Sequence, residues 1–226
     1  MATPYVTISL DEVGSTQDRA AAEMESSSLP VLIVAREQTG GRGRSGNEWW
    51  QAPRAVAASL GFRNEVMEVA SAFTLTVGLA VRGAIASVAG IEVALKWPND
   101  LEFGSGKVGG VLVERDDRTT VVGCGLNLWW PNPPDRVAAL FRSDPGGDVG
   151  EALSRHWATS LLSGAVGWDR SEYRAACSTI GCEVVWEPSG RGTAVDIDQD
   201  GGLIVDAGRE KLTLRSGAVT TVRRTD

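Results

Sequence analysis

Gly40-Gly41-Arg42-Gly43-Arg44-Ser45-Gly46, followed at once by Asn47-Glu48-Trp49-Trp50, puts two guanidinium groups one residue apart on a glycine-rich backbone. Glycines let such a loop fold closely around a bound group. Guanidinium forks match carboxylate and phosphate oxygens in bidentate geometry. The preceding run Val31-Leu32-Ile33-Val34-Ala35 reads as a buried strand. The loop therefore hangs from the end of a sheet, where α/β proteins bind ligands. A solvated loop, or an RGG-type segment on single-stranded nucleic acid, shares this composition. Lysine usage sharpens the choice: of 22 basic residues only Lys96, Lys107 and Lys211 are lysine. The first two sit in Lys96-Trp97-Pro98-Asn99-Asp100-Leu101 and Gly106-Lys107-Val108-Gly109-Gly110. A compact ammonium on a flexible stem suits a carboxylate or phosphate in a tight pocket.

The elements that must position these groups follow from hydrophobic periodicity and turn signals. Strands are predicted over residues 5–10, 31–37, 55–63 and 93–97, the last ended by a Pro-Asn-Asp turn. A hairpin pairs 107–115 with 119–128 around Asp116-Asp117-Arg118. Ser15 or Thr16 caps a helix running to about Glu25, with Asp18 in a capping position. A long, largely buried helix spans 69–89 with only Arg82 charged, and two more cover 150–168 and 170–177. From Gly181 the texture changes to short strands over 184–187, 192–197, 203–206, 210–214 and 219–223, with Asp200-Gly201-Gly202 as a tight turn. That run reads as a small barrel. The expected fold is α+β: a mixed sheet flanked by helices over 1–178, and a small β-barrel over 179–226.

Composition excludes several classes. A net charge of −7 and a pI near 4.9 oppose nucleic-acid binding, which needs a positive surface. Residues 1–14 hold Asp11 and Glu12 and no apolar core, so no signal peptide is expected there. The apolar helix around 69–90 is interrupted by Arg82 and falls short of the roughly 20 apolar residues of a membrane span. A soluble, cytoplasmic protein is expected. Cys124 reads as a small core residue, and Cys177 and Cys182 have no further Cys or His pair for a zinc site. The single histidine, His156, lies in a helical pattern, which disfavours a Ser-His-Asp hydrolase. Gly104-Ser105-Gly106-Lys107-Val108 looks like the end of a P-loop, but Leu101 replaces its first glycine and Val108 its Ser/Thr. Gly123-Cys124-Gly125-Leu126-Asn127 falls inside a strand, so it is no dinucleotide loop.

Five motifs follow one another along the chain: Gly14-Ser15-Thr16, Gln38 with Gly41-Arg42-Gly43-Arg44-x-Gly46 and Trp49, and Lys96-Trp97-Pro98-Asn99-Asp100-Leu101. Lys107-x-Gly109-Gly110-Val111-Leu112-x-Glu114 and Gly123-x-Gly125-x-Asn127 complete the set in order. Taken together, they resemble those of the biotin protein ligases, over nearly the whole chain. The resemblance makes the C-terminal barrel SH3-like. It implies that biotin's carboxylate attacks the α-phosphate of ATP, giving biotinyl-5′-AMP and pyrophosphate. A specific lysine of a biotin carboxyl carrier domain then takes the biotin. Fixed cations should dominate such catalysis, in keeping with a chain almost free of histidine.

Carried over by position, Ser15, Thr16, Gln17 and Gln38 would hydrogen-bond biotin's ureido ring and carboxylate region. Arg42 with Gly41 and Gly43 would wrap the ligand, and Gly110 would give it room. Lys107 would sit where the biotin carboxylate meets the α-phosphate, and Arg44 would hold the phosphate and retain the adenylate. Trp49 would stack on or shield the adenine, with Lys96, Asn99, Asp100 and Asn127 around triphosphate, ribose or magnesium. Lys107, Arg44 and Lys96 are the implied catalytic groups, and Mg²⁺ would arrive with ATP, not in a protein metal site. Two departures stand out: Gln17 where the family usually has Asn, and Asn47 where it usually has a second basic residue. Repressor members carry an N-terminal DNA-binding domain, for which the few residues ahead of the first strand leave no room, so no nucleic-acid partner is expected. A monomer or weak homodimer is expected. Alternatives are a lipoyl or octanoyl ligase or transferase of the same fold, and a non-catalytic biotin-binding protein.

Overall fold

The computed structural model describes residues 4–44, 49, 51–68, 70–215 and 219–222, the last four by backbone alone. A seven-stranded mixed sheet is built from β1 (Val6–Val13), β2 (Val31–Gln38), β3 (Arg54–Arg63), β4 (Ala94–Lys96), β5 (Asp100–Phe103), β6 (Gly106–Arg115) and β7 (Thr119–Trp129). Their spatial order is β1-β2-β3-β7-β6-β5-β4, with only β1 and β2 parallel. Four helices accompany them: α1 (Thr16–Met24), α2 (Phe73–Ala89), α3 (Val149–Leu162) and α4 (Arg170–Ala176). A second, antiparallel sheet orders β8 (Glu183–Trp186), β9 (Gly190–Ile197), β10 (Leu203–Asp206), β11 (Lys211–Leu214) and β12 (Val219–Val222) as β11-β10-β9-β8-β12, which fits an SH3-like unit.

Strict alternation along β3 and β7 sends large apolar side chains one way and small ones the other. Val56, Ala58, Leu60 and Phe62 on β3, with Val122, Cys124, Leu126 and Leu128 on β7, join Leu75, Leu79, Val81 and Ile85 of α2 and Leu153 and Trp157 of α3 in the main core. Burying each such side chain contributes about 1.5–3 kcal/mol, so this face holds the sheet together. Burial in it pushes the Cys124 thiol up to about 12, the mark of an inert core residue. The opposite face carries Ala55, Ala57, Ser59, Gly123 and Gly125, and among the helices α1 covers part of it, through Ala20 and Met24 against Val31, Ile33 and Val121.

The predicted elements are present with shifted ends. β1 runs three residues beyond the predicted end at Leu10, because its parallel partner continues to Gln38. The long helix starts at Phe73, well inside the predicted 69–89, and residue 69 itself lies outside the described residues. α3 ends at Leu162, six residues before the predicted Trp168; Gly164 takes a left-handed φ of 68° just past the end. β5 was not predicted at all. Asp100-Leu101-Glu102-Phe103 alternates polar and apolar residues over only four positions, two of them acids of low strand propensity, yet it pairs with both β4 and β6. Gly104, the fragment that resembles a P-loop, is the φ +60° corner between β5 and β6. Ser15, not Thr16, is the helix cap, its Oγ accepting from Asp18 N at 3.3 Å. Among the described residues no helix is long and apolar enough to cross a membrane.

Candidate active site

One transverse row of residues defines the site. Register pairing lines up Ala35, Ala57, Gly125, Gly110, Asp100 and Lys96 across β2, β3, β7, β6, β5 and β4. Residues directly opposite across a sheet share a face, and here it is the face turned away from the main core. At one end the floor is methyl groups and bare backbone. At the other it is charged. Such a trough suits a ligand with a flat apolar part and an anionic part.

The apolar end has a polar wall where α1 begins. Gln38 Oε1 accepts from both Thr16 N (2.8 Å) and Thr16 Oγ1 (2.9 Å), which fixes the orientation of the amide, and its Nε2 lies against Gly41, where a Cβ would come within 2.8 Å. Ser59 Oγ lies 2.9 Å from Thr16 Oγ1 and 3.0 Å from Gln17 Oε1, while Gln17 Nε2 donates to Val121 O at 3.1 Å. Gln17 is 5 % exposed and reaches over Gly123, where a Cβ would come within 2.6 Å of its oxygen. The longer amide is thus a brace between helix and sheet. Gln17→Asn should shorten that brace, break one buried hydrogen bond and lower unfolding stability by about 1 kcal/mol in chemical denaturation. Unchanged stability would show that the extra methylene is idle. Ser59 and Gln51 escaped sequence reasoning. A lone serine in the buried run Ala57-Ala58-Ser59-Leu60 was the available signal for the first. Gln51 mimics a strand, accepting from Gln38 N (2.9 Å) and donating to Arg36 O (2.7 Å), and no local pattern announces it.

The charged end carries Lys107 and Lys96. Lys107 Nζ is 2.6 Å from Asp100 Oδ1 and 5.8 Å from the centroid of the Trp49 ring. Lys96 Nζ is 3.6 Å from Glu102 Oε1. Although Lys96 faces Asp100 and Lys107 faces Glu102 in register, both ion pairs run diagonally. Asn127, 3 % exposed, donates from Nδ2 to Ala138 O at 3.2 Å, and its Oδ1 has no partner among the described residues. A buried acceptor without a partner costs free energy until a donor arrives.

The Gly/Arg loop straps across this trough. Gly40 N donates to Gly14 O (2.7 Å) and Trp49 N to Gly41 O (3.4 Å), closing the loop's base. Arg44 Nη1 donates to Asn99 Oδ1 at 3.2 Å, and Asn99 Nδ2 to Val111 O at 3.1 Å, so Arg44 and Asn99 meet at the charged end. Trp49 lies on the floor: a Cβ at Gly125 would meet its ring at 2.8 Å. Arg42, expected to wrap the ligand, instead places its guanidinium on Asp18 (2.7 Å) and Glu114 (3.1 Å). The Arg42 hydrogen bond holds the Asp18 carboxyl below its usual 3.8, against a smaller opposing effect of burial. This contact is therefore fully present above pH 3.8 and is lost as pH falls through the lower folded-state value. The structure thus brings Ser15, Thr16, Gln17, Gln38, Gly41, Arg44, Trp49, Lys96, Asn99, Asp100, Lys107, Gly110 and Asn127 around one trough and turns the Arg42 side chain aside. Gly43 sits in the strap between Arg42 and Arg44, while Asn47 lies outside the described residues.

The model of the biotin/lipoate A/B protein ligase family matches residues 11–128, and the chain belongs to that family. It is 32 % identical over 212 residues to the biotin–[acetyl-CoA-carboxylase] ligase of Mycobacterium tuberculosis, covering 85 % of this chain and 79 % of that one. It superposes on the biotin protein ligase from Aquifex aeolicus in complex with biotin and ATP with a TM-score of 0.77 and 26 % identity, over 97 % of this chain and 99 % of that one. A bifunctional ligase/repressor of Bacillus subtilis is 35 % identical over 144 residues, of which this chain spans only 44 % of the length. Within the family, the chain stands with the biotin protein ligases.

Proposed function

We propose that the protein is an ATP-dependent biotin protein ligase that forms biotinyl-5′-AMP and then passes biotin to a lysine of a biotin carboxyl carrier domain. The observation that carries this reading is the row from Ala35 to Lys96, which joins an apolar floor to a charged end where Lys107 pairs with the row's Asp100. Biotin lies on the Ala57, Gly125 and Gly110 floor once the Trp49 ring has moved off it. Its ureido group meets Thr16 and Gln38, with Ser15 and Gln17 holding that wall and Gly41, Arg42 and Gly43 shaping the strap. Its carboxylate then points toward Lys107. ATP, arriving with Mg²⁺, places its α-phosphate between Lys107 and Arg44, with Lys96, Asn99 and Asp100 along the phosphates and ribose. Asn127 Oδ1 accepts from the adenine amino group or a ribose hydroxyl, and Trp49 covers the base.

In the first step a biotin carboxylate oxygen bonds to the α-phosphorus and the bond to the β-phosphate breaks. Lys107 and Arg44 stabilise the negative charge that grows on the phosphoryl oxygens. In the second step the neutral amine of the carrier lysine attacks the acyl carbon and AMP leaves. Residues 1–178 hold the ligands and residues 179–226 form the second unit. The reading places the enzyme in the cytoplasm as a monomer or weak homodimer, without nucleic acid.

Pyrophosphate release should appear with biotin plus ATP and not with lipoate or octanoate plus ATP, and labelled biotin should move onto a carrier domain from the same organism. Release driven by lipoate would replace biotin as the substrate, and biotin binding without release would leave a non-catalytic protein. Arg44→Gly should slow adenylate formation and let the intermediate that still forms escape, because the strap loses its tie to Asn99. Biotin should then label bystander lysines in a mixed protein solution; equal selectivity in variant and parent removes the retention role.

A further inference from the structure

The junction between the two sheets meets the trough at its charged end. Ser178 N donates to Leu95 O and Trp97 N donates to the side-chain Oγ1 of Thr179, each at 2.9 Å, so residues 177–179 are tied to β4 by an isolated parallel bridge between Leu95 and Cys177 and by one hydroxyl. Trp97 Nε1 reaches Gly201 O at 2.9 Å, in the turn between β9 and β10. From this seam Ser178 Oγ lies 2.8 Å from Glu102 Oε2 and 3.4 Å from Leu95 O. A hydroxyl has one proton, and the shorter contact to a carboxylate takes it. The other oxygen of Glu102 faces Lys96 Nζ at 3.6 Å. Lys107, by contrast, is held by Asp100 wholly within the large sheet.

We infer that Ser178 and Glu102 are positioning residues: Ser178, at the junction with the C-terminal unit, orients Glu102, and Glu102 orients Lys96 for the phosphates of ATP. This rests on the reading that Lys96 meets those phosphates. A lysine stem without a partner loses rotamer freedom when it closes on an anion, whereas one already directed by a fixed carboxylate has lost part of it beforehand. The serine bond also keeps Glu102 from advancing into a tight pair that phosphate would have to break. The junction between the two units therefore bears on the site chemistry through one side chain.

Steady-state kinetics of biotin-dependent pyrophosphate release by the full chain test this. Ser178→Ala should raise KM for ATP about threefold, the scale of a partly exposed ion pair, with kcat and KM for biotin changed less than about twofold. Ser178→Thr should restore the parent value, and Glu102→Gln should raise KM for ATP as well. In a Lys96→Met background Ser178→Ala should add nothing, because the three residues act as one chain. An unchanged KM in Ser178→Ala overturns the inference. So does a lowered KM in Glu102→Gln, which would show simple repulsion of phosphate. A joint shift of kcat, both KM values and the melting temperature would show a structural role only, and persistence of the effect in the Lys96→Met background would bypass Lys96. If the parent releases no pyrophosphate, or Lys96→Met leaves KM for ATP unaltered, the ATP reading of the site falls and this inference with it.

Discussion

Lys107→Ala should depress the rate of adenylate formation by on the order of 10²-fold or more, because it removes a cation at the point where charge develops. Lys107 is placed for that task by β6, beside Gly110, with its ammonium 2.6 Å from Asp100 and under the Trp49 ring. The fold should survive. The pair is 39 % and 22 % exposed on its two side chains, and ion pairs this wet are worth about 0–1 kcal/mol. A melting temperature close to the parent, with single-turnover pyrophosphate release slowed a hundredfold, is the expected result. Release within a few-fold of the parent would mean that Lys107 only neutralises Asp100. Lys107→Arg is the informative companion: it keeps the charge but spreads it over a planar fork, so partial recovery separates charge from shape.

Gly110→Val should abolish most use of biotin while leaving the protein folded. A Cβ at Gly110 would meet Asp100 Oδ1, Lys107 Cε and Lys107 Nζ at 3.4–3.5 Å, ordinary contact that the sheet tolerates. The two further methyls of valine would stand in the trough where the biotin tail runs. Overpacking of this kind costs about 1–3 kcal/mol, or roughly a fivefold to 150-fold loss in biotin affinity. Isothermal titration with biotin alone reads it directly. Parental affinity would move the ligand off the Gly110–Gly125 floor and with it the whole orientation proposed for the row. Gly125→Val is the weaker experiment, since a Cβ there already collides with Trp49 at 2.8 Å and strap rearrangement would blur the result.

Much of the ligand chemistry is legible in the amino-acid sequence. The Gly/Arg strap, the two isolated lysines and the Gly123-x-Gly125-x-Asn127 strand are short segments whose residue types state their own requirements: close backbone approach, fixed cations, a buried amide. The main sheet is legible too, because runs such as Val31–Gln38 and Arg54–Arg63 are apolar over most of their length. β5 is not, since its alternation lasts only four residues and two of them are acids that strands disfavour, and its strand conformation is imposed by hydrogen bonding to neighbours on both sides. Tertiary context overrides local preference there.

What the sequence by itself determined is the set of groups and the class of reaction they serve, because those depend on residue type and short-range spacing. What only the tertiary structure decided is which of those groups meet. Ala35, Ala57, Gly125, Gly110, Asp100 and Lys96 come from six strands whose order in space differs from their order in the chain, and strand register alone puts them in line. The same applies to Arg42, whose partners Asp18 and Glu114 lie 24 and 72 positions away. A long-range ion pair is selected by packing and distance after the chain has folded, and no periodicity along the sequence encodes it.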